Sequence, residues 1–280
     1  MNAGRFLLKP FLGKRQFQSI FETMYKVGLA GMNVGEGGMP KQSGEPWVLN
    51  FIRSRLAQQT QEPVVFDVGA NVGQFALAVL DTFGPAVRLW SFEPCNSSFE
   101  MLQQHFRGKN VTLVKAAVGS KEGKAEIFSP ASGSKLASFY DRTSTWDNAS
   151  REFVSVQTID GYCACNGIRK INFLKIDVEG HELEVLRGAD RMLKTGIDYI
   201  QFEFSAAHID ARVFFRDFYK LLQRDYQICR ILQNGLMPVK EYTPELELFK
   251  RATNYLAVRK ATAGAGTLRE RVLAEAGEKN

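Results

Sequence analysis

The chain has 280 residues, 45% of them hydrophobic and 24% charged, which suits one large globular domain plus an extension that needs no staples. Its four cysteines (Cys95, Cys163, Cys165, Cys229) form no C-x-x-C pair, and no uncharged run is long enough for a membrane span or a secretory core, so reduced thiols in a cytoplasmic protein are expected. Net charge is +6, and residues 1–60 carry eight Lys/Arg against three acids, a basic arm suited to a phosphorylated substrate or a membrane surface, or else a solvated helix face.

In chain order, Phe17, Ile20, Phe21, Met24 and Val27 recur at helical spacing and predict an amphipathic helix over about 14–27. A glycine-rich loop, 31–44, precedes a second helix over 47–56, which completes a helical extension across residues 1–60. Residues 61–260 form the main domain, and 261–280 a charged tail with at most a short helix at 268–276. The domain opens with an apolar run, Val64 to Phe66, that ends in Asp67. A glycine turn (Asp67-Val68-Gly69-Ala70-Asn71-Val72-Gly73), a helix and a second apolar run ending in Glu93-Pro94 follow. That is a right-handed strand–helix–strand crossover with a carboxylate at the end of each strand. Gly69 and Gly73 are expected to let the backbone approach a ligand, and Glu93 to accept hydrogen bonds from ribose hydroxyls.

A helix over 96–106 and a strand over 111–118 come next, then an added strand over 124–128 that pairs with 153–159. Between them lies a hydroxyl-rich stretch, 129–152, whose Phe139, Tyr140 and Trp146 suggest a folded flap. The fourth core strand, 171–176, ends in Asp177-Val178-Glu179-Gly180-His181, and a helix follows from about Glu182. The fifth strand, 199–204, carries Glu203 near its end. A helix over 213–222, a strand over 226–232 and an antiparallel edge strand over 254–259 complete the pattern. Asp67, Glu93, Asp177 and Glu203 thus share the rim where open α/β sheets bind ligands.

The glycines fall as G-x-x-x-G, not as the G-x-G-x-x-G of hydride-carrier sites, and an acid beside the turn disfavours a pyrophosphate. D-x-G-x-N-x-G followed by an acid resembles the S-adenosylmethionine (SAM) site of class I methyltransferases. Val156-Gln157-Thr158-Ile159-Asp160 and the run from Phe173 to Ala189 (FLKIDVEGHELEVLRGA) resemble the signature of the FkbM family of SAM-dependent O-methyltransferases. The resemblance covers about residues 63–205 and implies a Rossmann-like α/β fold, with a seven-stranded, mostly parallel sheet and helices on both faces.

It further implies methyl transfer to a hydroxyl of a glycan, sugar-containing or other small-molecule acceptor. Asp67, Gly69, Asn71, Gly73 and Glu93 are expected to hold SAM, with Ala117 leaving room beside the adenine. An alcohol acceptor must lose a proton, so a base or metal is sought nearby. His181 is the first candidate base. Asp177 is the alternative, or a ligand with Glu179 of a divalent ion such as Mg²⁺, and Glu203 is a third carboxylate lining the pocket. The alternatives are a nucleic-acid methyltransferase, disfavoured because IDVEG stands where base-methylating enzymes carry an N/D-P-P-Y/F motif, and a SAM-fold binding protein without turnover.

Overall fold

The structure, a computed structural model, describes residues 8–38, 42–57, 59–129, 138–140 and 150–260. The expected C-terminal helix, Trp146 and most of the hydroxyl-rich stretch lie outside the described residues.

After a 3-10 turn at Arg15–Phe17, the chain forms α1 (Gln18–Gly31) and α2 (Glu45–Leu56). The main domain then runs β1 (Val64–Val68), α3 (Gln74–Phe83), β2 (Arg88–Phe92), α4 (Asn96–His105) and β3 (Val111–Val114). A smaller unit follows: β4 (Ala117–Val118), β5 (Gly123–Ser129) and β6 (Ser150–Gln157). The chain returns through α5 (Ile159–Cys165), β7 (Ile171–Ile176), α6 (Glu182–Arg187), α7 (Asp190–Thr195) and β8 (Ile197–Phe204). It ends with α8 (Ala207–Ala211), α9 (Phe215–Leu222), β9 (Tyr226–Leu232), β10 (Gly235–Pro238) and β11 (Thr253–Arg259).

The large sheet has the order β10-β9-β11-β8-β7-β1-β2-β3. Strands β3, β2, β1, β7 and β8 are parallel, and β11 runs antiparallel to both β8 and β9. Every residue of β1 and β7 is buried, as strands covered on both faces require. Phe66, Leu174 and Ile200 pack on one side with α6, α7 and α9, whereas Val65, Phe173 and Tyr199 pack on the other with α2, α3 and α4.

Four expectations change. The sheet has eight strands, not seven, because β10 folds back on β9 with Gly235 opposite Leu232, across the two-residue loop Gln233-Asn234. Strand β11 is interior, not an edge. The strand expected over 111–118 divides: β3 stays in the main sheet, while β4 pairs with β6 in the small one. The single helix expected after Glu182 breaks at Gly188, where a Cβ would collide with the carbonyl oxygen of Gly119.

Candidate functional site

A cavity of about 990 Å³ opens at the carboxyl ends of the parallel strands. One end is lined by Val68–Val72, Phe92–Pro94 and Ala116–Val118, the other by Gly35–Gly38, Glu203, Ser205–Ala207, Lys250–Ala252 and Asn254. Asp177–Glu179 are common to both, and Ser138 and Phe139 also contribute to the wall. Seven carboxylates (Glu36, Glu45, Asp81, Glu93, Asp177, Glu179, Glu203) stand against three cations (Lys175, Lys250, Arg251).

At the first end, Glu93 closes β2 and accepts hydrogen bonds from the backbone N–H of Asn71 (2.8 Å) and of Cys95 (2.9 Å). Asn71 turns in the left-handed region (φ 51°), which aims its N–H at Glu93 across the turn. Burial raises the Glu93 carboxyl to about 7, and the two N–H donors oppose that rise. Ala117 is buried and lines the wall.

At both glycines the backbone is packed closely against a neighbouring element. A Cβ on Gly69 (φ 85°) would collide with the Asp177 carbonyl, so this glycine lets the loops after β1 and β7 meet. A Cβ on Gly73 (φ 89°) would strike the ring of Phe106, and Gly73 does not line the cavity.

Asp67 does not line the cavity either. It is wholly buried, and neither carboxylate oxygen has a hydrogen-bond partner among the described residues. Strand register explains its surroundings: Ser91 of β2, Asp67 of β1, Lys175 of β7 and Gln201 of β8 lie level on one face, all buried. The Lys175 ammonium sits 2.9 Å from Asp177 Oδ2 and 4.9 Å from the Phe75 ring centre, and Gln201 Nε2 donates to Glu45 Oε1 at 2.7 Å. Burial raises Asp67 to about 7; Lys175 pulls it down, whereas Asp177 and Glu45 push it up. For Lys175 burial acts downward, yet Asp177, Asp67 and Glu45 together raise it above the usual lysine range and keep it charged. Lys175 was not among the expected site residues; its trace in the sequence is a single lysine inside the otherwise apolar core strand INFLKI.

At the second end, Glu203 is pushed well above the usual carboxylate range by burial and by the Asp177, Glu179 and Glu182 carboxylates. His181, the first candidate base, is not one of the described residues that line the cavity. Its ring stacks on Phe139 with centroids 4.0 Å apart and 18° between planes, and Nδ1 lies 3.4 Å from the Tyr140 hydroxyl. Burial lowers its pKa, against the pull of Glu184 and Glu182.

The Asp177–Glu179 cation pair does not fit the geometry. Glu179 sits in the left-handed region (φ 54°), which breaks the extended backbone such a pair needs, and the Asp177 carboxylate meets Lys175. Among the described residues no three His, Cys, Asp or Glu side chains are grouped to hold a metal ion.

The loop after β7 is fixed from behind. The Glu182 carboxylate accepts from the N–H of Val178 and of Gly180, each at 2.9 Å, and lies 3.0 Å from His208 Nε2. Glu182 and His208 are both fully buried, so the loops after β7 and β8 are held together below the cavity.

The chain is 29% identical over 160 residues to a hexuronic acid methyltransferase, AglP, of Haloferax volcanii, which covers 56% of this chain and 62% of that one. It is 26% identical over 156 residues to a 2-O-methyltransferase, NoeI, of Sinorhizobium fredii, covering 50% and 63%. The chain therefore spans about three fifths of the length of these relatives. A solved FkbM methyltransferase from Methylobacillus flagellatus aligns at TM-score 0.44 and 20% identity over 70% of this chain and 43% of that one. The methyltransferase FkbM domain model matches residues 67–228, more than half of the sequence, and the chain belongs to the FkbM methyltransferase family.

Proposed function

We propose that the protein transfers a methyl group from SAM to a hydroxyl of a carbohydrate-like acceptor. The observation that carries this reading is Glu93 on the wall of the cavity at the strand ends, each of its oxygens held by a backbone N–H and open to a further donor. SAM supplies an electrophilic methyl group on its sulfonium. Glu93 receives the ribose hydroxyls, since each oxygen that accepts a backbone N–H keeps a further lone pair. Gly69 and Asn71 shape the methionine end, and the buried Asp67 adds negative charge from beneath once pH rises through about 7. Ala117 leaves space for the adenine.

Glu203 is the base we assign. An acid with a raised pKa accepts a hydroxyl proton better than an ordinary carboxylate, and Glu203 lines the cavity where His181 does not. The remaining acceleration comes from holding oxygen, methyl and sulfur in line. Lys250 and Arg251, at the same end, suit an acidic sugar such as the hexuronic acid in the name of the Haloferax relative.

The test is calorimetric titration with S-adenosylhomocysteine, followed by transfer of labelled methyl from SAM to hexuronic-acid glycans, neutral sugars and RNA. Micromolar binding and label on the acidic sugar support the reading. A folded protein that binds no S-adenosylhomocysteine, or that labels only RNA, overturns it.

A further inference from the structure

Of the fourteen large apolar side chains exposed among the described residues, eight fall between Leu8 and Met32. On α1, Ile20, Met24 and Val27 are 54%, 55% and 66% exposed and recur at spacings of four and three, which makes one continuous stripe. Leu29, the one buried residue of α1, follows Ile20 by nine positions, or two and a half turns at about 3.6 residues per turn. The stripe therefore points away from the body of the protein. A lone helix of this length is marginal in water, so its apolar face calls for a partner.

Charge identifies that partner. Lys9, Lys14 and Arg15, just before α1, and Lys26 on it are all exposed, against the single acid Glu22. Two copies meeting through this face would bring like charges together, and a nucleic acid would match the cations but not the stripe. A helix with an exposed apolar stripe, entered from a basic segment, matches an anionic lipid surface. We infer that α1 docks on an anionic membrane surface.

The docked helix is joined to the cavity. Lys250, which lines it, places Nζ 5.0 Å from the ring centre of Tyr25 on α1. The chain leaving α1 forms the Gly35–Gly38 wall, where the Gly37 N–H donates to the Ala252 carbonyl at 2.6 Å. Docking thus brings the acceptor end of the cavity next to the lipid surface. The docking itself does not depend on the methyltransferase reading.

The experiment is flotation of the full chain with vesicles of phosphatidylcholine alone, and of phosphatidylcholine with phosphatidylglycerol at roughly two parts to one, in low and high salt. Two variants accompany it: Ile20→Ser with Met24→Ser and Val27→Ser, and Lys14→Glu with Arg15→Glu and Lys26→Glu. None of these residues lines the cavity, so S-adenosylhomocysteine affinity serves as the folding control. The expected result is roughly tenfold or greater preference for the anionic vesicles, reduced by salt and lost in both variants. Absence of vesicle binding by the folded wild type overturns the inference. So does a concentration-dependent dimer that the serine variant dissolves, because the stripe would then be covered by a second copy.

Discussion

His181 and Phe139 lie face to face, ring centroids 4.0 Å apart, and only Phe139 belongs to the cavity wall. Phe139 is held from two further directions: Ser138 pairs with Phe128 through two backbone hydrogen bonds of 2.8 Å, and Ser138 Oγ donates to the Glu179 carbonyl at 3.0 Å. The imidazole is thus part of the support for a wall. His181→Ala is expected to weaken S-adenosylhomocysteine or acceptor binding by about three- to tenfold, the loss of roughly one aromatic contact. The shape of the pH–rate profile should not change. If one limb of that profile disappears in the variant, His181 takes the proton after all.

Glu203→Gln is expected to lower kcat by about a hundredfold or more while cofactor affinity stays near wild type. The base works only when deprotonated, and its pKa stands above the usual carboxylate range, so wild-type activity should fall as pH drops through that raised value. A pH series of kcat for both proteins measures this. Equal profiles would sink the assignment.

Asp67 links binding to stability. Its folded-state pKa of about 7 exceeds the ordinary 3.8, so the folded protein holds an extra proton between those values. The stability it contributes is full below about pH 4 and is lost as pH rises through about 7. Asp67→Asn should therefore gain up to about 4 kcal/mol over the unliganded wild type at pH 8, at about 1.4 kcal/mol per pKa unit. That gain should vanish near pH 4. The same variant should bind S-adenosylhomocysteine more weakly. Urea unfolding at both pH values, with a titration at pH 8, separates the two effects; unchanged affinity would make Asp67 purely structural.

Glu182→Ala removes a buried carboxylate that serves two backbone N–H groups and lies against buried His208. The expected cost is about 3–5 kcal/mol in denaturant unfolding. Glu182→Gln keeps one acceptor oxygen and should cost less. Equal losses would mean that the intact carboxylate with both acceptor oxygens, not the volume of the side chain, carries the effect.

The sequence by itself determined most of the parallel core strands, because periodicity and glycine turns are local: strands β7 and β9 carry the bounds expected of them, whereas β10 and the helices α5 and α8 were not foreseen. It also placed Asp67, Glu93, Asp177 and Glu203 at strand ends, since a carboxylate that closes an apolar run is visible in one dimension. Which of these face the cavity is not. Asp67 lies within β1, level with Ser91, whereas Glu93 follows the last residue of β2, so register buries the first beside Lys175 and leaves the second on the wall. His181 stands two residues from Glu179, but its ring turns behind Phe139, a partner 42 positions earlier. Lys175 shows only as one lysine among apolar residues until register sets it level with Asp67 and Gln201. Strand pairing and loop packing join residues far apart in the chain, and such contacts, not spacing, decide which ionisable groups are paired, orphaned or exposed to a ligand.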